Sequence, residues 1–166
     1  MKKILSIILC AMLCISVTAC KAHKATTNKT TTQKTVVSQE TQDFLDEFGV
    51  KLQEIIADWN SVENLLNDGD AYVKSQEGKT NFTEVLLTIK NLDVEFENSI
   101  PKECEKIVSL WYDLADRRYE LVDRCSSYLD GNLSYSDIQK YFKEYDEGNA
   151  KIIKEMQKEV DKILGK

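Results

Sequence analysis

Residues 102–130 read KECEKIVSLWYDLADRRYELVDRCSSYLD, and this stretch decides the fold class. Cys104, Ile107, Trp111, Leu114, Arg118, Leu121, Cys125 and Tyr128 are separated by alternating steps of 3 and 4. That spacing puts them on one face of an α-helix, with Val108, Ala115, Val122 and Leu129 on its shoulders. No Gly or Pro falls between Lys102 and Asp130, so one continuous rod is expected. Asp130-Gly131-Asn132 ends it with turn chemistry, and Pro101 suits the turn that begins it.

The same periodicity extends outward in both directions. Phe44, Phe48, Leu52, Ile55, Trp59, Val62 and Leu66 predict a helix closed by Asn67-Asp68-Gly69-Asp70. Residues 71–80 are ambiguous; Tyr72 and Val73 fit a short helical piece before Gly78. Asn81 with Glu84 suggests the start of a further helix whose buried side is Phe82, Val85, Leu86, Ile89, Leu92 and Phe96. Ser134 with Asp137 reads as a capping box. Ile138, Phe142, Tyr145, Ile152, Met156, Val160 and Ile163 form the apolar face after it. Strand signals are nearly absent. An all-α fold is expected, an antiparallel four-helix bundle over residues 41–166, because amphipathic helices of this length need mutual burial to persist in water.

Residues 1–20 read MKKILSIILCAMLCISVTAC. Lys2 and Lys3 precede an apolar run from Ile4 to Val17 broken only by Ser6 and Ser16. That is the pattern of a secretory signal peptide over 1–19, and the run is shorter than the roughly 20 apolar residues of a membrane span. Val17-Thr18-Ala19-Cys20 resembles the lipobox of bacterial lipoproteins. The resemblance implies cleavage after Ala19 and a diacylglycerol on the Cys20 thiol, hence a palmitate-labelled, cell-membrane-anchored protein on the extracytoplasmic face. Paired acyl chains anchor stably where a single one is marginal.

Residues 20–40 follow as the lipidated Cys and a linker. From 21 to 40 there are six Thr, four Lys and no aromatic. Such a composition cannot bury enough apolar surface to offset its ordering entropy, so a flexible stalk is expected. Charge divides sharply: net +3 over 21–40 and net -11 over 41–166. A basic stalk is attracted to an anionic leaflet that repels the acidic body. The overall charge of -6 argues against a nucleic-acid partner.

Catalytic and metal motifs are missing from the sequence. The single His, His23, falls in the linker, and no Glu-x-x-His pattern exists for a helical metal site. Asn67-Asp68-Gly69-Asp70 fails as an EF-hand loop, because Leu66 and Ser75 stand where carboxylates are required. No metal, no cofactor and no enzymatic activity are expected.

Cys104 and Cys125, about 31 Å apart along one helix, cannot pair with each other. They read as buried hydrophobes, with an intermolecular bridge as the alternative. Arg118 has three readings: an interhelical ion pair, an anion or ligand contact, or a stem along the groove with its charge in water. Tyr112, Asp116 and Tyr119 share one side of the helix and are candidate partner-docking residues. Trp59, Trp111 and Arg118 are candidate pocket residues for an apolar or cationic ligand. The expected function is that of a non-enzymatic envelope module binding a protein partner. The competing reading is a small apolar-ligand or solute-binding lipoprotein with a cavity in the bundle.

Overall fold

The structure, a computed structural model, describes residues 37–166. The expected signal peptide, Cys20 and most of the linker lie outside the described residues. Within them the chain is all-helical: α1 (Gln39–Asn67), α2 (Asp70–Val73), α3 (Gln76–Lys90), a 3-10 turn (Lys102–Cys104), α4 (Glu105–Leu129) and α5 (Tyr135–Ile163). Among the described residues no helix is long and apolar enough to cross a membrane.

Helix α1 begins two residues before the expected boundary at 41. Ser38 caps it, its hydroxyl accepting the Thr41 N–H at 3.1 Å. Thr41, itself buried, donates to Glu103 at 2.6 Å, which joins the start of α1 to the 3-10 turn. That bond is the first cause of the lowered Glu103 pKa. Seven predicted core residues, from Phe44 to Leu66, are all buried. Each large apolar side chain so removed from water contributes roughly 1.5–3 kcal/mol before the entropy of ordering it. At the far end the Tyr135 hydroxyl donates to the Leu66 carbonyl, and Tyr128 donates to Asp70 at 2.8 Å.

The second long element departs from expectation at both ends. Ser75, not Asn81, is its N-cap, accepting the Gly78 N–H at 3.0 Å. Asn81 lies inside α3 and donates to the Tyr72 hydroxyl at 2.9 Å. Gly78 looks like a breaker in sequence. In the fold it is a contact point: an added Cβ would stand 2.0 Å from the Tyr72 carbonyl oxygen.

Helix α3 also stops early. Leu92 and Phe96 belong to an extended strap, not to the helix. Leu92, Val94 and Phe96 are half-buried, while Asp93, Glu95 and Glu97 face solvent, a period of two residues. Glu47 of α1 accepts the N–H groups of Glu97 at 2.6 Å and Asn98 at 2.9 Å. The Trp111 indole donates to the Val94 carbonyl at 2.8 Å. Helix α1 is about 43 Å long and α3 only about 22 Å. The strap walls the part of the core that α3 does not reach.

Of the 29 residues expected as a rod over 102–130, 25 form the α-helix. Lys102–Cys104 form the 3-10 turn, and the α-helix proper runs from Glu105. Gly131, with φ of 81°, opens the short connection to α5. The Ser134–Asp137 capping box is present. Helices α4 and α5 run antiparallel, as their contacts show: Arg117 reaches Asn149 and Tyr145, while Arg124 further along α4 reaches Tyr141. On α5 the inward row includes Asn149 and Ile153; the expected Ile152 is only half-buried.

Both described cysteines are free and fully buried, in keeping with their reading as buried hydrophobes. Burial pushes the Cys104 thiol up to about 11, with Glu103 adding to it, and the Cys125 thiol up to about 12. Near pH 8 an ordinary thiol, with a pKa of about 8.5, is appreciably ionised. Iodoacetamide is therefore expected to leave Cys104 and Cys125 unmodified in the folded chain and to alkylate both in denaturant. Intact mass reads the result; modification of Cys104 without denaturant would mean that the 3-10 turn opens.

Candidate functional site

A groove of about 390 Å³ lies between α3 and α4. Its origin is side-chain length. Leu86, Val122 and Leu129 supply an apolar floor, but Thr83 and Ser126 are too short to fill the space between the helices. Leu87 forms the lip and is 52% exposed. Lys79 and Lys90 stand near its two ends, eleven residues apart on α3, or about 16 Å.

Tyr119 lies on the α4 face that leads into this groove, three residues before Val122 and seven before Ser126. It is 46% exposed. Arg118 orders it: the guanidinium carbon sits 4.1 Å from the Tyr119 ring centroid, and Nη2 donates to the Tyr119 hydroxyl at 2.7 Å. Nη1 donates to the Ala115 carbonyl at 2.7 Å, and among the described residues Nε has no partner. Arg118 is thus buried with its charge against an aromatic face and a carbonyl. Among the described residues it pairs with no carboxylate, and its head does not extend into water, which corrects two of its three sequence readings. A stacked cation of this kind holds a tyrosine in one rotamer, the state in which an exposed ring contacts a partner at least entropic cost.

Tyr112 shares the ridge but is half-buried, its hydroxyl donating to Glu95 of the strap at 3.0 Å. That carboxylate bond and burial, burial first, raise the Tyr112 pKa. Asp116 between the two tyrosines is exposed. No family model matches this chain, and the comparisons with curated proteins and with solved structures return no match.

Trp59, Trp111 and Arg118 sit in separate packing environments. Trp59 meets Tyr145 edge-on, with centroids 5.8 Å apart. Trp111 is wedged between Phe48 at 6.1 Å and Phe96 at 5.8 Å. None of the three lines the α3–α4 groove. Nor do they line a smaller groove of about 190 Å³ between α1 and α5, where Glu63 faces Asp146. Burial, and then the Glu63 charge, raise the Asp146 pKa. Among the described residues no group of three or more His, Cys, Asp or Glu comes together to hold a metal ion.

A polar cluster between α4 and α5 escaped the sequence reading. Arg117 Nε donates to Asn149 Oδ1 at 2.6 Å, and its guanidinium lies 5.0 Å from the Tyr145 centroid. Gly148 makes room: a Cβ there would stand 2.7 Å from Arg117 Nη2. Burial raises Tyr145 to about 12. The available signal was the Arg117-Arg118 pair itself. Adjacent helical residues point about 100° apart, so two arginines flanking a core stripe meet two different neighbours.

Proposed function

We propose that this chain is a lipid-anchored extracytoplasmic protein whose body recruits an envelope protein partner, without enzymatic chemistry, through the α3–α4 groove and Tyr119. In this reading the four long helices close as an antiparallel four-helix bundle. The α4–α5 contact register, the short α1–α2–α3 connections and the shared core support that arrangement. The lipobox-like Val17-Thr18-Ala19-Cys20 supports the anchor. The observation that carries the docking reading is the exposed Leu87 beside an apolar-floored groove, next to a tyrosine whose rotamer is fixed by Arg118. An aromatic anchor beside a hydrophobic recess is the usual centre of an interface.

The test is site-specific photo-crosslinking in intact cells from Thr83, on the groove, and from Asn60, exposed on α1. One discrete protein adduct is expected from position 83 and none from position 60, and Leu87→Asp with Tyr119→Ala should abolish it. Equal capture from both positions, or an adduct indifferent to those substitutions, refutes the docking surface. Acyl mass on the native chain that disappears with Cys20→Ala tests the anchor separately.

A further inference from the structure

Helix α5 carries Lys151, Lys154, Lys158 and Lys162 at steps of 3, 4 and 4, all exposed and all on one face. Of these four lysines only Lys162 forms an ion pair among the described residues, with Glu159 at 3.5 Å; Glu155 is the one acid within the stripe. The contrast with the rest of the body is sharp. Residues 151–166 hold five basic and three acidic side chains, whereas residues 37–150 hold 11 basic and 25 acidic.

The position of the stripe matters as much as its sign. Because α5 runs antiparallel to α4, its C-terminal half lies beside the beginning of α4, and the 3-10 turn packs against α5. The same turn receives the Thr41–Glu103 bond from the first turn of α1. The described chain therefore enters the body at the end that carries the stripe. Ile100, 43% exposed, and Lys102 lie at that end as well, together with the exposed acids Glu40, Asp43, Glu103 and Glu105, so the basic surface is the α5 face itself. Only sixteen residues separate Cys20 from residue 37, at most about 3.5 Å each.

We propose that this lysine face docks on the anionic phospholipid headgroups of the membrane that carries the anchor. The inference rests on the lipid-anchored reading for where that surface lies. The stripe is a convex ridge of long cations, which suits a broad charged plane; a protein partner is better served by the recess between α3 and α4. The acidic remainder of the body is repelled by the same plane, so attraction and repulsion together set one orientation. The α3–α4 groove reaches the end of α4 at Asp130, the opposite end from the stripe, and so lies clear of it.

The test uses the acylated full chain in vesicles of phosphatidylcholine alone or rich in phosphatidylglycerol. A fluorophore is placed on E155C or on N132C, the latter in the connection after α4, and a quencher is carried in the headgroup layer. In anionic vesicles quenching at 155 should exceed that at 132 by about fivefold or more, the ratio one lysine near such a surface supplies. The excess should vanish in about 1 M salt, where the screening length is about 3 Å. It should vanish too in K151E/K154E/K158E/K162E, whose fold is checked by circular dichroism. Equal quenching at both positions, or the same excess in neutral vesicles, overturns the proposal; the salt arm decides should the fourfold variant not fold. If native material lacks acyl groups the anchor reading fails. Flotation of the chain with the two vesicle types then still reads the stripe: binding to the anionic set alone upholds it, and no difference overturns it.

Discussion

Gly78→Ala is expected to destabilise the body by about 3 kcal/mol, at the upper end of what overpacking usually costs. The new Cβ would lie 2.0 Å from the Tyr72 carbonyl oxygen, 2.7 Å from its carbon and 2.9 Å from Val73 Cα. All three are backbone atoms, so no side-chain rotation relieves the clash. Helix α3 must move away from α2, which also strains the Ser75 cap and the Asn81–Tyr72 bond. For a body of this size the loss corresponds to a fall in Tm of roughly 10 °C. Gly49→Ala is the internal control. It lies inside α1 with nothing within 4 Å of an added Cβ, so the same change should stabilise by about 0.5–1 kcal/mol. Thermal melts of the two variants should shift in opposite directions. An unchanged melt for Gly78→Ala would mean that α2 does not lie against α3 as described.

Trp111→Ala is expected to cost about 3–5 kcal/mol. The ring is fully buried, packs on Phe48 and Phe96, and holds the strap through Val94. Trp111→Phe separates these roles. It keeps an aromatic ring against Phe48 but leaves the Val94 carbonyl without its donor, a loss of about 1–2 kcal/mol. Hydrogen exchange should localise that smaller loss: amides of residues 92–98 should exchange faster while those in the middle of α4 and α5 keep their protection. Uniformly faster exchange would show that the strap unfolds only with the whole body.

The strap explains where the sequence reading was weakest. Leu92 and Phe96 are four residues apart and continue the stripe of Ile89, so helical periodicity claimed them. The competing signal was the strict alternation Leu92-Asp93-Val94-Glu95-Phe96-Glu97, which fits a half-buried extended segment. Over so few residues the two periods are hard to separate, and the partners that favour extension, Glu47 and Trp111, are remote in sequence. Asn81 was misread for a similar reason: Ser75 lay inside a segment whose helical character depended on α2 packing against Gly78. By contrast α1, α4 and the Ser134 cap were legible because their signals are local and repeat over many turns. Of the candidate site, Tyr119 was visible as an off-stripe aromatic. The groove was not, because it arises from two short side chains, Thr83 and Ser126, on different helices.

The five residues between α4 and α5 set an order of assembly. Closing so small a loop sacrifices little chain entropy, and the capping box and Gly131 already favour the turn. Arg117 with Asn149 and Arg124 with Tyr141 then zip the two rods from neighbouring stretches of chain. The contacts of α1 with Trp111 and Glu103 bridge some sixty residues and must wait for a surface on which to land. Refolding is thus expected to start from the α4–α5 hairpin, with α1, although made earlier, docking only once that template exists.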